Sequence, residues 1–131
     1  MSRILFFVLF LCTPLSLAAQ KSETFESISF QTPKDWQKEV GKESVQFAAE
    51  NADGGLCLIT MFKPIAGSGN AKTDFGTAWE SVVQSTVKAD KPQMNPAGND
   101  DGWAIENGAA PYESDGKKGV AMLITATGNS K

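Results

Sequence analysis

Hydrophobic and polar residues alternate along three segments of this chain, the pattern of strands that bury one face. The segments are residues 27–32, 44–50 and 118–127. Residues 36–40 and 44–50 flank Gly41, and Asp115 with Gly116 precedes the last segment, so both places favour the tight turns of antiparallel hairpins. The pattern predicts an antiparallel sheet whose final strand carries four apolar residues on one face: Val120, Met122, Ile124 and Ala126.

Residues 56–62 form the most apolar stretch after the first nineteen residues. The stretch is too short for a typical helix, and Gly55 and Pro64 bound it. We therefore expect a central strand covered on both faces. Cys57 lies within it and is predicted to be an inert core residue, because a chain without His offers a thiolate no imidazole base.

One segment has helical periodicity. Four apolar residues and Thr86 follow Phe75 at offsets of 4, 7, 8, 11 and 12 residues, which places them on one stripe of a helix over residues 72–87. Around it we expect a polar tether at 21–27, a long polar loop at 88–101, and strands at 102–107 and 110–113. The fold class predicted is α+β, an antiparallel sheet with an amphipathic helix packed across it.

The first nineteen residues have the pattern of a secretory signal peptide. Arg3 supplies a positive start, residues 4–12 are apolar, and small residues lead up to Ala19. The apolar run is shorter than the roughly 20 residues of a membrane-spanning helix. We therefore expect cleavage near Gln20, export to the periplasm or the extracellular space, and no stable membrane insertion afterwards. A retained anchor, or a lipoprotein signal acylated at Cys12, is the alternative.

Residues 20–131 are enough for one domain with a modest core. The formal net charge of the chain is −3, and its charged residues are interspersed. A nucleic-acid partner or an anionic lipid surface would require a concentrated basic face, so neither is expected. Loss of the leader leaves Cys57 as the sole thiol, which rules out an internal disulfide. No cofactor is predicted.

Several short motifs resemble those of Mog1/PsbP-like α/β/α domains, including exported bacterial ones. They lie across residues 25–127 and comprise Phe30, Thr32-Pro33 and Trp36; Asp74-Phe75 with Trp79; Asp101-Gly102-Trp103; and Tyr112 before Asp115-Gly116. Members of the family are accessory or binding proteins, among them a photosystem II extrinsic subunit and a binder of the Ran GTPase. The resemblance implies an α/β/α packing and no catalytic set.

Such domains continue past the hairpin with another strand and a C-terminal helix. This sequence stops at Lys131, soon after a strong strand. The resemblance therefore implies a sheet that lacks its last strand and helix. The final strand would then offer an edge for self-association. A truncated product of a longer gene is the alternative expectation.

The candidate ligand-binding residues are Trp103 with Asp100, Asp101 and Tyr112, because an aromatic side chain beside an acidic loop can line a ligand groove. No metal site is predicted, since turn chemistry explains the Asn, Asp and Gly clusters. We expect an exported, non-catalytic accessory or binding protein whose partner is a protein or a small ligand. The alternative is a secreted hydrolase that uses a local cluster of carboxylates: Asp100, Asp101 and Glu106.

Overall fold

The computed structural model describes residues 21–128, so the predictions for the signal peptide at 1–19 lie outside the described residues. By its internal contacts the chain divides after Pro64 into two compact units. Antiparallel strands dominate both units, and one short helical segment accompanies them. The fold is thus α+β in the broad sense that the alternation predicted.

Residues 21–64, the described part of the first unit, contain a two-stranded and a three-stranded antiparallel sheet. Their strands, in chain order, are β1 (Ser22–Phe25), β2 (Ile28–Gln31), β3 (Gln37–Val40), β4 (Ser44–Glu50) and β5 (Leu56–Phe62). The predicted hairpin around Gly41 is confirmed as β3 and β4. The predicted tether at 21–27 is wrong, because Ser22–Phe25 pairs with β2. A two-residue turn at Glu26, whose φ is 53°, brings these two strands together.

The buried part of the three-stranded sheet lies on β4. Val45 and Phe47 are buried, and the ring of Phe47 meets that of Phe30 edge to face at 5.5 Å between centroids. Aromatic pairs favour this geometry because the positive ring edge meets the negative ring face. The unit therefore has a small core centred on alternate residues of one strand.

β5 departs from the sequence prediction. Residues 56–62 do form a strand, yet Leu56 is 71% exposed, and Leu58, Ile59 and Phe62 are exposed as well. The expected central position is wrong, because β5 lies at the edge of the sheet and pairs with β4 alone among the described strands. The expected burial on both faces is also wrong, because the described part of this unit contains no helix to cover it. The expected burial of Cys57 is wrong for the same reason: the thiol is exposed.

Residues 65–128, the described part of the second unit, contain a helical segment and five strands that form one sheet. The segment begins as α1 (Ala71–Ala78) and continues as a π-helical turn (Trp79–Gln84). The strands are β6 (Lys88–Ala89), β7 (Gln93–Met94), β8 (Gly98–Asp100), β9 (Trp103–Ser114) and β10 (Lys117–Thr127).

β9 and β10 form a long hairpin with eleven successive residue pairs, from Lys117 with Ser114 to Thr127 with Ala104. Positive φ angles of 52° at Asp115 and 74° at Gly116 give the turn that this dipeptide predicts. The two strands predicted at 102–107 and 110–113 are a single strand.

Pro111 can lie inside β9 because its missing N–H faces a gap between two short strands. β6 reaches only Tyr112 on that edge of β9, and β7 begins only at Ala109.

The predicted loop at 88–101 is also corrected. β6, β7 and β8 pair in turn along the edge of β9 that is opposite β10. None of the three strands is longer than three residues, and they depend on the β9 edge for their hydrogen bonds. Strands this short carry no alternation that a sequence pattern can reveal.

The core of the second unit lies between the helical segment and the sheet. Phe75, Trp79 and Val83 are buried with Ala110 of β9, and the rings of the first two stack with centroids 6.0 Å apart. The predicted helical stripe is confirmed at these positions. Asn70 caps the helix through its side-chain oxygen, which accepts a hydrogen bond from Thr73 N at 3.0 Å.

Candidate functional site

Three of the four predicted ligand residues meet at the turn that joins β8 to β9. Asp100 lies directly opposite Trp103, and Asp101 is in the turn between them with a φ of 46°. The Trp103 ring is 46% exposed. A Cβ at Gly128 would lie only 2.5 Å from its Cε3 atom, so the chain after β10 passes close against this ring.

Tyr112 lies far from that turn. It is nine residues from Trp103 along the continuous strand β9, about 30 Å at the rise of an extended strand. Because the two positions differ by an odd number, their side chains lie on opposite faces. The Tyr112 ring instead covers Gly119, where a Cβ would lie 2.7 Å from Cε1.

Glu106 is separated from the other carboxylates by the sheet. Opposite residues of antiparallel strands share a face, so Asp100 lies on the Trp103 face. Glu106 is three residues beyond Trp103 and lies on the face that packs against the helical segment, where it is 6% exposed. Its cross-strand neighbour is Thr125, whose buried hydroxyl has no hydrogen-bond partner in residues 21–128.

Two open depressions lie elsewhere. One, of about 300 Å³, is in the first unit, and its lining includes Trp36, Leu56 and Cys57 beside Glu50 and Asn51. The other, of about 600 Å³, is in the second unit between the end of the helical segment and the β9–β10 turn. Across the described range no three Cys, Asp or Glu side chains gather as a metal site would require.

The open edge of β10 is the largest unpaired strand edge of the second unit. Within residues 21–128, β10 pairs with β9 alone. On the face away from the helix, Val120, Met122 and Ile124 are 69%, 63% and 63% exposed. Alternation predicted that these residues share a face, but a strand pattern cannot tell which face another element covers.

The turn at Asp115 and Gly116 decides which backbone groups face the open edge. Two residues separate Ser114 from its partner Lys117. In a two-residue hairpin the carbonyl of the first partner bonds to the N–H of the second, so this pair is a hydrogen-bonded one. Hydrogen-bonded and non-hydrogen-bonded pairs alternate along an antiparallel ladder. The odd-numbered residues of β10 therefore bond to β9, and the even-numbered residues point their N–H and C=O groups to the open edge.

A hydrogen-bonded carboxylate fixes the far end of β10. Asp74, near the start of α1, accepts hydrogen bonds from Ser68 N at 2.7 Å and from Thr127 Oγ1 at 3.1 Å. The hydrogen bonds from Ser68, and then that from Thr127, lower the pKa of Asp74 below its ordinary value. The carboxylate thus links the loop before α1 to the last residue of β10.

Comparisons with protein-family models, with curated proteins and with solved structures found no match to this chain. Throughout the described part of the chain, every helix is too short or too polar to cross a membrane.

Proposed function

We propose that this chain is an exported, non-catalytic accessory protein of the Mog1/PsbP-like kind, and that it binds another polypeptide by strand addition along the open edge of β10. The proposal rests on β10, which has eleven residues, no partner within residues 21–128 on the edge opposite β9, and three exposed apolar side chains. An extended peptide added there would satisfy the outward N–H and C=O groups and cover those side chains.

The residues along the β10 edge favour the binding of another strand. Natural sheets protect free edges with charges, prolines, bulges or very short strands. β3, at the edge of the first unit's sheet, has four residues and carries Lys38 and Glu39. β10 has charges only at Lys117 and Lys118, and its register with β9 runs without a bulge. The β10 edge therefore lacks the features that hinder the addition of another strand.

Site-specific photo-crosslinking in the producing cell tests the proposal. A photoreactive amino acid replaces Met122 in the full chain, and a matched control carries it at Ser81, which is exposed on the helical segment. We expect a polypeptide adduct from position 122 and none from position 81. Adducts from both positions alike, or from neither, would overturn the proposal.

The N-terminus of the recovered protein tests export separately from binding. We expect the protein recovered outside the cytoplasm to begin near Gln20 by mass spectrometry, and an intact Met1 on all recovered protein would contradict export by a cleaved signal.

A further inference from the structure

We infer that the polypeptide added to β10 is β10 of a second copy of this chain, paired antiparallel about a two-fold axis at Met122. This inference rests on the proposed function, since it names the partner that the edge binds. The inference rests on the complementarity of β10 to a second β10 turned through 180°. In that arrangement the outward backbone groups of the two strands face each other, and their lysines lie at opposite ends of the pair.

The two-fold axis restricts the register. An axis perpendicular to the sheet keeps the helical segments of both copies on the same face, and opposite residues of antiparallel strands share a face. Even-numbered residues must therefore lie opposite even-numbered residues. An axis at Met122 pairs every residue of β10, with Lys117 opposite Thr127 of the second copy. An axis at any other residue would leave some residues of β10 without an opposite residue.

The outward-facing backbone groups of β10 favour the same register. The even-numbered residues from Lys118 to Ala126 direct their backbone groups outward, as the Asp115 turn requires. In the register centred on Met122 these five residues lie opposite even-numbered residues of the second copy, so each makes a hydrogen-bonded pair. The interface would contain on the order of ten backbone hydrogen bonds.

The exposed side chains match across the axis. Val120 lies opposite Ile124 of the second copy, Met122 lies opposite its own counterpart, and Ile124 lies opposite Val120. All six project from the face that the helical segment leaves uncovered. Pairing turns two short apolar rows into one continuous patch in which each side chain shields a neighbour from water.

The lysines favour the antiparallel arrangement. In a parallel pairing, Lys118 of both copies would lie side by side, and like charges that face each other across a sheet are destabilising. The antiparallel register places the Lys118 residues at opposite ends of the ladder, about 27 Å apart. That separation exceeds the Debye length of roughly 8 Å at physiological ionic strength.

Disulfide trapping of the purified full-length protein tests the register. In a background with Cys12→Ser and Cys57→Ser, Met122→Cys places two thiols across the axis at a Cα separation of about 5.5 Å, within disulfide range. Ile124→Cys is the matched control, because its two copies lie about 13 Å apart along the ladder. We expect a covalent dimer from Met122→Cys under mild oxidation and at least tenfold less from Ile124→Cys.

A mixture sharpens the test. Val120→Cys and Ile124→Cys chains, mixed in the same background, should form a heterodimer that neither forms alone, because these positions lie opposite each other. Equal trapping of all single variants would contradict the register. A failure of Met122→Cys to crosslink under conditions in which the protein dimerises would do the same.

A charge variant gives a readout without cysteine. Met122→Lys would place two ammonium groups opposite each other, and we expect it to weaken dimerisation at least tenfold by sedimentation while its circular dichroism stays unchanged. Ser81→Lys adds the same charge elsewhere and should leave dimerisation unchanged.

A protein that is monomeric at every concentration overturns self-pairing. A photo-adduct at position 122 with a different polypeptide then leaves the proposed function standing, and the absence of any adduct removes both.

Discussion

β5 of the first unit and β9 of the second unit show that the apolar content of a strand does not determine its burial. Six of the seven residues in Leu56–Phe62 are apolar, yet most of the strand is exposed. β9 contains Glu, Asn and Ser, yet Glu106 and Ala110 are buried. The difference lies in the covering element, because the helical segment buries Phe75 and Trp79 against the second sheet. A strand is buried where another element packs on it, whatever its own composition.

The largest expected effect concerns that covering element. Trp79→Ala removes a buried ring from the core of the second unit and should lower the free energy of unfolding by about 3 to 5 kcal/mol. Leu56→Ala on exposed β5 should change it by no more than about 0.5 kcal/mol. Urea unfolding followed by circular dichroism measures both, and comparable losses would invalidate the contrast between the two strands.

A second pair of variants tests the same idea within one sheet. Val45 and Val40 lie directly opposite each other on β4 and β3, but Val45 is 1% exposed and Val40 is 63% exposed. Val45→Ala should cost about 2 kcal/mol, because it removes buried apolar surface and leaves a cavity. Val40→Ala should cost less than about 0.5 kcal/mol. Similar midpoints in urea for the two variants would show that exposure does not govern the cost here.

The smallest expected effect concerns Asp74. Hydrogen bonds from Ser68 and Thr127 lower its pKa in the folded state, so its contribution to stability is present above the ordinary carboxyl value near 3.8. That contribution is lost as the pH falls through the lower folded pKa. Asp74→Asn should therefore reduce the thermal midpoint at pH 7 and flatten its decline in acid. Asp90→Asn, at an exposed position, is the control. An unchanged acid profile in Asp74→Asn would refute the role of these hydrogen bonds.

Sequence reasoning succeeded where an element is specified locally. The Asp115-Gly116 hairpin, the helical stripe through Phe75 and Trp79, and the shared face of Val120 and its neighbours all follow from turn chemistry or periodicity. The closeness of Asp100 to Trp103 also follows, because a two-residue turn joins them.

Other features depend on contacts between distant residues. β6, β7 and β8 exist as strands because the edge of β9 supplies their partners. Tyr112 is far from Trp103 because β9 continues through Pro111, which requires the gap between β6 and β7. The burial of Glu106 depends on the helical segment that packs on its face of the second sheet. The exposure of β5 depends on the first unit, whose described residues include no helix. None of these contacts is visible in a local pattern of residues.

Amide hydrogen exchange along β10 most directly tests whether its open edge pairs with a polypeptide. The amides of Leu123 and Thr125 bond to β9 and should be protected at every protein concentration. The amides of Met122 and Ile124 face the open edge, so we predict fast exchange in dilute protein and at least tenfold slower exchange as the concentration rises. Exchange at Met122 and Ile124 that stays fast at all concentrations, beside a protected Leu123, would contradict pairing between copies at this edge.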